Sequence, residues 1–245
     1  MFEIDGIVLG TTPFNEHDSI VNIITKQQYF SFLAKGVLKI DSKNASLINL
    51  CNYSRFNISK GKTGYSLRNG ELLNSFQNAK KDLAGLSALT FIREITFKFI
   101  QDDDTIQIFD FLKKSLELLD NNKNPFFVCL LYFAQVLKIA GYGLNVDSCQ
   151  LCGSKHDICA ISYENGGMIC KKCYSGNNGK AYSARKLKIF RYIFKVELSQ
   201  FGEIEFNEDE CKELLTDLLV FANNVSQVNI KSHKMLFMNW FINLL

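Results

Sequence analysis

The chain has 245 residues, with 28 lysine and arginine side chains against 25 aspartate and glutamate side chains, which gives a formal net charge of +3. Glycine and proline together number 17 (15 + 2), and hydrophobic residues make up 47% of the chain. This composition excludes collagen-like, linker-rich and disordered chains. It predicts one or two folded domains, and the near-neutral total charge gives no general reason to expect a nucleic acid or a membrane as partner.

Charge is nevertheless distributed unevenly along the chain. Residues 1–80 carry 9 basic and 6 acidic side chains (+3), and residues 81–148 carry 7 and 9 (−2). Residues 149–195 carry 9 and 2 (+7), whereas residues 196–245 carry 3 and 8 (−5). A chain that is almost neutral overall can therefore present basic surfaces.

Residues 1–80 predict a small β-domain. Short runs rich in Ile, Val, Phe and Tyr are separated by turn residues. The predicted strands are Ile4–Leu9, Ser19–Thr25, Tyr29–Leu38, Leu47–Ile58 and Tyr65–Arg68. Five short strands in about 75 residues indicate an antiparallel barrel or sandwich, and the OB-fold is one barrel of this kind.

After residue 80, apolar residues recur at three- and four-residue spacing, which predicts helices. The predicted helices are Leu83–Ile100, Asp104–Leu119, Pro125 to Gly141, Ser183–Leu198, Asn207–Asn223 and Ser226–Leu245. The longest apolar stretch, Phe126–Leu137, is shorter than the ~20 residues of a membrane span and predicts a buried core helix. The N-terminus lacks the basic and apolar regions of a secretory signal, so we expect a cytoplasmic protein.

Four of the eight cysteines form two Cys-x2-Cys pairs that are separated by 17 residues. The pairs are Cys149 with Cys152 and Cys170 with Cys173. This spacing is typical of a zinc site, because a two-residue gap lets one tight turn aim two thiolates at the same point. A short hairpin around Asn165-Gly166 would complete a zinc-ribbon arrangement. Four thiolates leave no open coordination position, so we predict one structural Zn2+ in a module at about 146–178.

The other cysteines have a simpler interpretation. Cys51, Cys129 and Cys211 lie in apolar patterns and are predicted to be core residues, and Cys159 is predicted to be a small buried residue of the hairpin. His156 is a competing metal ligand, but its position predicts a turn. The alternative for all the cysteines is a set of free or disulfide-bonded thiols.

The sequence contains no convincing catalytic motif. Gly61-Lys62-Thr63 resembles the end of a phosphate-binding loop, but Phe56 stands where that loop requires glycine. No His-x-Glu precedes the cysteine pairs, as zinc deaminases require. The acidic run Asp102–Asp104 predicts a solvated helix N-terminus rather than a metal site. We therefore predict that the chain is not an enzyme.

Basic residues of the β-segment predict contact with nucleic acid. They are Lys35, Lys39, Lys43, Lys60, Lys62 and Arg68. Barrels that bind single strands add exposed aromatic rings to a basic groove, and the candidate rings are Tyr53, Tyr65, Phe30 and Phe32. The alternative is that these rings are core and the lysines are merely solvated.

The predicted helix Ser183–Leu198 carries a second basic stripe. Its members are Arg185, Lys186, Lys188, Arg191 and Lys195. The stripe would either contact phosphates or solubilise an exposed face.

The order of these segments and several motifs resemble the RecO family of bacterial DNA repair and recombination mediators. The matching motifs are Gly6–Leu9, Asn15–Val21, Ala34-Lys35-Gly36, Gly70–Phe76, Gly141–Leu144, Cys149–Gly153 and Gly166–Cys170. They are scattered over residues 1–175, and the remainder resembles the family only in helical character and length. The loop after Ala34-Lys35-Gly36 is less basic than is usual in the family.

The resemblance implies a multi-domain α+β protein, with a five-stranded OB-fold barrel over residues 1–80 and an all-α domain over residues 81–245 that carries the zinc module. It implies a non-catalytic mediator that binds single- and double-stranded DNA and anneals complementary strands. It further implies that the protein engages the C-terminal tail of single-strand-binding protein, acts with RecR to load a recombinase, and works in the cytoplasm at the nucleoid. The alternative is a structural module whose barrel and zinc ribbon bind other proteins.

Overall fold

The computed structural model describes residues 1–62 and 64–242. Five strands close into a barrel in the order β1-β2-β3-β5-β4. They are β1 Phe2–Pro13, β2 Ser19–Ile24, β3 Tyr29–Ala34, β4 Tyr53–Gly61 and β5 Gly64–Asn74. Neighbouring strands are antiparallel except β3 and β5, which run parallel and pair at Leu33 and Ser66. The predicted OB-fold barrel is thereby confirmed.

The first strand, β1, closes the barrel because it pairs on both sides. Its first half pairs with β4, and its second half pairs with β2 after an irregularity between Val8 and Gly10. A bulge of this kind bends a strand and increases its twist. Alternate side chains of the strands fill the interior, among them Ile23, Phe32 and Phe56.

The first and last strands are longer than predicted, and two other predictions include residues that are not strand in the structure. The third ends before Gly36, whose φ of 63° turns the chain. The prediction of a strand over Leu47–Ile58 is wrong in its first part, where the chain forms the 3₁₀ helix Ala45–Ile48 and then turns at Cys51 with a φ of 59°. The apolar residues of this part are buried without joining the sheet, and β4 begins only at Tyr53.

In the described part of the chain, six α-helices follow the barrel. They are α1 Leu83–Phe99, α2 Thr105–Asp120, α3 Pro125–Leu137, α4 Ala184–Lys195, α5 Glu208–Ser226 and α6 His233–Ile242. The predicted starts of α3 and α4 are confirmed by side-chain caps: Asn124 accepts hydrogen bonds from two backbone N–H groups, and Ser183 accepts one from Lys186.

Three helix boundaries depart from their predictions. The sequence pair Asn207 and Glu210 predicts a capping box at the start of α5. Asn207 does cap the helix, but the Glu210 carboxylate pairs with Arg185 instead of completing the box. Asp104 does not cap α2 and accepts a hydrogen bond from the backbone of Gln101. The last helix begins at His233 rather than near residue 226, and residues 243–245 of that prediction lie outside the described part of the chain.

Helix α3 is the centre of the helical part. Every residue from Phe126 to Leu137 is buried, and α3 packs against α1, α2, α4 and α5. The segment Pro125–Tyr142 is long and apolar enough to cross a membrane by length and composition alone. Its burial under four other helices instead identifies it as the core helix that the sequence predicts.

The barrel and the helices share one buried cluster. Ile7, Leu9 and Ile24 of the barrel belong to the same cluster as the residues of α1 and α3. The Tyr29 hydroxyl also donates a hydrogen bond of 2.9 Å to the carbonyl of Thr96 in α1. The predicted division at residue 80 falls in the connection between β5 and α1, and the shared core extends across it.

Candidate functional site

Four cysteine side chains converge in the segment between α3 and α4. They are Cys149, Cys152, Cys170 and Cys173. All four sulfur atoms lie within 4.8 Å of one another, and the Sγ atoms of Cys152 and Cys170 are 3.6 Å apart. Bonds of about 2.3 Å to a tetrahedral zinc place sulfur atoms roughly 3.8 Å apart. The geometry of the cluster therefore fits a tetrahedral metal ion.

Tight turns and a hairpin bring the two pairs together. The backbone N–H of Gly153 donates to the carbonyl of Cys149 at 2.8 Å, and that of Cys173 donates to Cys170 at 3.0 Å. Gly153 has a φ of 74°, which a glycine adopts without strain. The predicted hairpin is confirmed, and the strands of the module are β6 Ile158–Ser162, β7 Gly167–Cys170 and β8 Lys180–Ala181.

The surroundings of Cys149 favour a thiolate. Burial by itself raises the pKa of this thiol. The backbone N–H groups of Cys170, Cys152 and Leu151 point at the sulfur and outweigh that effect, so the pKa lies below its ordinary value. A thiol that ionises readily is the form that binds a metal.

The remaining cysteines lie outside the cluster. Cys51, Cys129 and Cys211 are buried, as predicted, while Cys159 is half-buried beside the four sulfurs. His156 is exposed. Among residues 1–62 and 64–242, the four cysteines form the one group of three or more His, Cys, Asp or Glu side chains whose ligand atoms are close enough to hold a metal.

The cysteine module is fastened to α5 by a polar contact and an aromatic contact. The Tyr182 hydroxyl donates to the Asp217 carboxylate, and the Lys180 ammonium lies 2.7 Å from the same carboxylate. The Tyr163 ring packs against Phe221 with centroids 5.6 Å apart. The position of the module therefore depends on a helix that lies outside it.

The six basic residues predicted on the barrel are all exposed. They are Lys35, Lys39, Lys43, Lys60, Lys62 and Arg68. None of them forms an ion pair with an acidic side chain in the described part of the chain. Glu16 and Asp18 line the same surface pocket as Lys35 and Lys39 and partly offset their charge, although neither forms an ion pair with them. The remaining positive charge is available to an anionic partner.

Arg68 on β5 connects the two groups of lysines. Its Nε atom donates to the Ser59 hydroxyl at 2.9 Å, next to Lys60. Its carbonyl accepts a hydrogen bond of 3.4 Å from the Asn44 side chain, next to Lys43. The β4–β5 hairpin and the loop after β3 therefore meet beside this residue.

The parallel pairing of β3 and β5 adds Lys35 to the same edge. Leu33 pairs with Ser66 in this register. Lys35 and Arg68 each lie two residues beyond that pair, in strands that run in the same direction. The three segments that carry the six cations, the end of β3, the loop after it and the β4–β5 hairpin, therefore meet around Arg68, and we call this side of the barrel its basic edge.

The basic stripe of α4 is largely neutralised. Four of its five cations form ion pairs with acidic residues of the segments on either side of the module. The pairs are Arg185–Glu210, Lys186–Glu213, Arg191–Asp147 and Lys195–Asp147. Lys188 is exposed and has no such pair among the described residues. The stripe therefore attaches α4 to its neighbours, and contact with phosphates remains a prediction for Lys188 alone.

The aromatic residues chosen from the sequence are packing residues. Phe30 and Phe32 are buried inside the barrel, and the Tyr65 ring packs on Phe30 with centroids 4.8 Å apart. Tyr53 is half-buried beneath the Lys113 ammonium, 4.6 Å from its ring centroid. The core interpretation of these rings, which was the alternative, describes them better than stacking.

Phe14 is the most exposed aromatic residue of the barrel among the described residues, and the strand pattern of the sequence does not single it out. Phe14 lies in the turn between β1 and β2, and 61% of its surface is exposed. Strand patterns direct attention to aromatic residues within strands, where alternation buries every second side chain. The signal that points to Phe14 is a large aromatic residue in a polar turn, where no strand requires it.

These features define the class of the protein: an OB-fold barrel with an unpaired basic edge, joined to a helical part that holds a four-cysteine centre. The family model described as Recombination protein O N terminal matches residues 1–76, and the model described as Recombination protein O C terminal matches residues 80–234. The chain belongs to the Recombination protein O family. The resemblance seen in the sequence is thereby confirmed.

Relatives match the chain over almost its full length. It is 25% identical over 244 residues to a DNA repair protein RecO of Bacillus cytotoxicus, and the match covers 96% of this chain and 97% of that protein. It is also 25% identical over 240 residues to a DNA repair protein RecO of Bacillus mycoides, with the same coverage of each chain.

Proposed function

We propose that this chain is a DNA-binding recombination mediator in DNA repair and that it acts without catalytic turnover. In this role it binds single- and double-stranded DNA, anneals complementary strands, and helps to load a recombinase onto strands coated by single-strand-binding protein. Family membership and the relatives' description as DNA repair proteins support the proposal. The observation that carries it is the barrel edge with six exposed cations that have no acidic partner among the described residues.

Unpaired cations bind DNA by replacing its condensed counterions at the phosphates. An ion-paired side chain must first lose its acidic partner, which makes the α4 stripe a weaker site than the barrel edge. Binding at the edge should therefore weaken steeply as salt rises. Two strands held on one basic surface also repel each other less, which favours annealing.

Charge reversal tests the barrel edge. In the variant Lys35→Glu, Lys39→Glu, Lys43→Glu we expect affinity for single-stranded DNA to fall at least tenfold, and the slope of log affinity against log salt to become shallower by about two to three. Fluorescence anisotropy of a labelled oligonucleotide between 50 and 300 mM salt measures both quantities.

A matched control separates this local effect from net charge. Lys138, Lys155 and Lys234 are exposed lysines outside the barrel, without ion pairs in the described chain. Reversing these three makes the same change in net charge away from the barrel. We expect the control to bind DNA within twofold of the parent. Equal losses in both variants, or unchanged binding in the first, would contradict the assignment of this edge.

We further propose that the four thiolates bind one Zn2+ and that the role of this ion is structural. The sulfur separations and the turns at both cysteine pairs support a tetrahedral thiolate site. Bound zinc would fix the two turns against each other. Because all four positions around the ion are taken by protein, substrate has no place to coordinate.

A groove on α1 suits a peptide partner. It has a volume of about 410 Å3, and its floor is the Phe97 ring, which is 65% exposed. Arg93, Lys98, Lys231 and one acidic residue, Glu94, line its rim, and Lys98 is ion-paired with Glu94. Arg93 and Lys231 leave the rim with a positive charge, and an apolar floor with such a rim fits an acidic peptide that carries apolar side chains. We assign this groove to the C-terminal tail of single-strand-binding protein.

The variant Phe97→Ala tests the peptide assignment. We expect it to lose affinity for a labelled tail peptide by tenfold or more, while DNA affinity remains that of the parent. Tail binding that is unaffected would refute the assignment. RecR as a second partner, and a cytoplasmic location at the nucleoid, rest on the family resemblance.

The groove also favours the alternative function, a module that binds other proteins and contacts DNA only incidentally. The two functions predict different salt behaviour. A mediator binds DNA with a steep salt dependence and accelerates annealing. The interaction module would be favoured by two results together: the chain binds the tail peptide, and neither charge-reversal variant changes its DNA binding.

A further inference from the structure

We propose that the Phe14 ring is a stacking platform for a base of single-stranded DNA, so that the barrel distinguishes single strands from duplex. This inference rests on the proposed function. It assigns to one residue of the DNA-binding barrel the ability to distinguish single-stranded from double-stranded DNA. Phe14 is the barrel phenylalanine with the largest exposure among the described residues. Its ring makes no contact with another described aromatic ring, unlike Phe2, whose ring packs on Phe30 and Tyr65.

The turn that carries Phe14 is held by hydrogen bonds. The Phe14 N–H donates to the carbonyl of Asp18 at 3.0 Å. The Asp18 carboxylate accepts from the Asn15 side chain at 2.9 Å and from the backbone of Gly36 at 2.7 Å. These bonds tie the β1–β2 turn to the loop after β3. The ring is therefore presented on a fixed backbone, which lowers the entropy lost when a base packs on it.

Phe14 forms one wall of an apolar groove on the outside of the barrel. The groove has a volume of about 330 Å3, and Ile20 of β2, Leu33 of β3 and Tyr65 of β5 line it together with Ser31, Phe32 and Gly64. In the proposal a flat base lies in this groove against the Phe14 ring.

Positive charge borders the groove. The Lys60 ammonium lies 6.0 Å from the centroid of the Tyr65 ring, and Lys62 follows in the same hairpin. Lys35 lies two residues beyond Leu33 on the opposite side. A groove with an apolar floor and cationic edges complements a strand whose bases are apolar on their faces and whose backbone is anionic. A duplex has its bases stacked internally, so it can use the cations but not the ring.

Removal of the ring tests the proposal. In Phe14→Ala we expect affinity for a single-stranded oligothymidylate to fall roughly 5- to 100-fold, the range for loss of one stacked base. Affinity for a duplex of equal length should stay within twofold of the parent. Because the ring is exposed, its removal leaves no cavity and the variant should keep the parent's thermal stability. Ile106→Ala removes a similarly exposed apolar side chain on α2, outside every proposed binding site, and should change neither affinity.

A tryptophan at the same position reports the contact directly. Phe14→Trp should keep the affinity of the parent, and its emission should be quenched along the binding curve of the single strand but not of the duplex. The chain has one native tryptophan, Trp240, so titration of the parent supplies the background signal.

The outcomes separate this proposal from the proposed function. If Lys35→Glu, Lys39→Glu, Lys43→Glu weakens DNA binding while Phe14→Ala does not, only the stacking role is overturned. Equal losses for single strand and duplex, or emission of Phe14→Trp that DNA does not change, also overturn it. If the parent shows no salt-dependent DNA binding, both proposals fail. Quenching that grows with protein concentration in the absence of DNA would assign the groove to a second copy of the chain.

Discussion

Glu94 is a single side chain that joins the two ends of the helical part. It lies on α1, and its carboxylate accepts hydrogen bonds from the backbone N–H groups of Lys231 and Ser232, at 3.1 and 2.7 Å, directly before α6. It also forms an ion pair of 2.6 Å with Lys98. Burial opposes its ionisation, but these donors outweigh burial and lower the pKa of Glu94 to about 2.

This lowered pKa predicts a pH dependence of stability. Because the carboxylate is stabilised in the folded state, its contribution is complete above about pH 4.5 and is lost as the pH falls towards 2. Glu94→Gln should lower the free energy of unfolding at pH 7 by about 1–2 kcal/mol, after allowance for solvent screening. The difference between parent and variant should shrink between pH 4 and pH 2.5.

Urea unfolding at pH 7, 5 and 3 measures this difference. Glu164→Gln is the matched control, because Glu164 is exposed in the hairpin turn and forms no ion pair in the described chain. It should change stability by less than about 0.5 kcal/mol at every pH. A difference for Glu94→Gln that is the same at pH 7 and pH 3 would rule out the titration of this carboxylate as its cause.

At the scale of the element, the cysteine module is formed by residues that lie close to one another in the sequence. Its two cysteine pairs lie within 25 residues, from Cys149 to Cys173. Backbone hydrogen bonds join the segments, for example from Gln150 to the carbonyl of Met168 at 2.8 Å. A short module of this kind has little hydrophobic core of its own, so the proposed metal would contribute much of its stability.

Loss of one ligand should therefore remove the metal and destabilise the chain. For Cys170→Ser we expect less than 0.2 zinc per chain and a loss of unfolding free energy of about 3 kcal/mol or more. Cys159→Ser changes a neighbouring cysteine that lies outside the cluster and should retain one zinc per chain. Elemental analysis of the purified variants with urea unfolding checks both expectations. Full stability of metal-free parent protein would be evidence against a structural metal.

An element can be predicted from the sequence when the residues that determine it lie close together in the chain. The cysteine pairs could be predicted because the turn geometry depends on residues that are close in sequence. The ion pairs of α4 could not, because Glu210 and Glu213 lie on α5, about 25 residues further along the chain. The 3₁₀ helix Ala45–Ile48 was mistaken for strand, since burial by tertiary contacts produces the same apolar pattern in both.

Across the whole molecule, the barrel and the helices depend on one another. The buried cluster that contains α3 also contains Ile7 and Leu9 of β1, while the barrel interior forms a second cluster around Phe56 and Ile58. The order of the helices could be predicted from periodicity. This shared core and the parallel pairing of β3 with β5 could not, because both join residues that are distant in sequence.

The shared core predicts a single cooperative unfolding transition. Ile58→Ala in the barrel and Leu130→Ala in α3 should each cost about 2–5 kcal/mol and lower the midpoint of the same transition. Hydrogen exchange by mass spectrometry in increasing urea should show peptides from residues 1–62 and from residues 83–137 losing protection together. Protection that persists in the helices after the barrel has exchanged would show that the two parts unfold independently.

The attachment of the module to α5 also bears on biosynthesis. Synthesis runs from the N-terminus, so all four cysteines are in the chain before Asp217 of α5 is added, and the thiols can meet before the helix that fastens the module is complete. If the cluster binds zinc as proposed, the ion can bind before α5 folds onto the module. A chain made without zinc would then have to join Tyr182 and Lys180 to α5 from a module whose turns are not yet fixed.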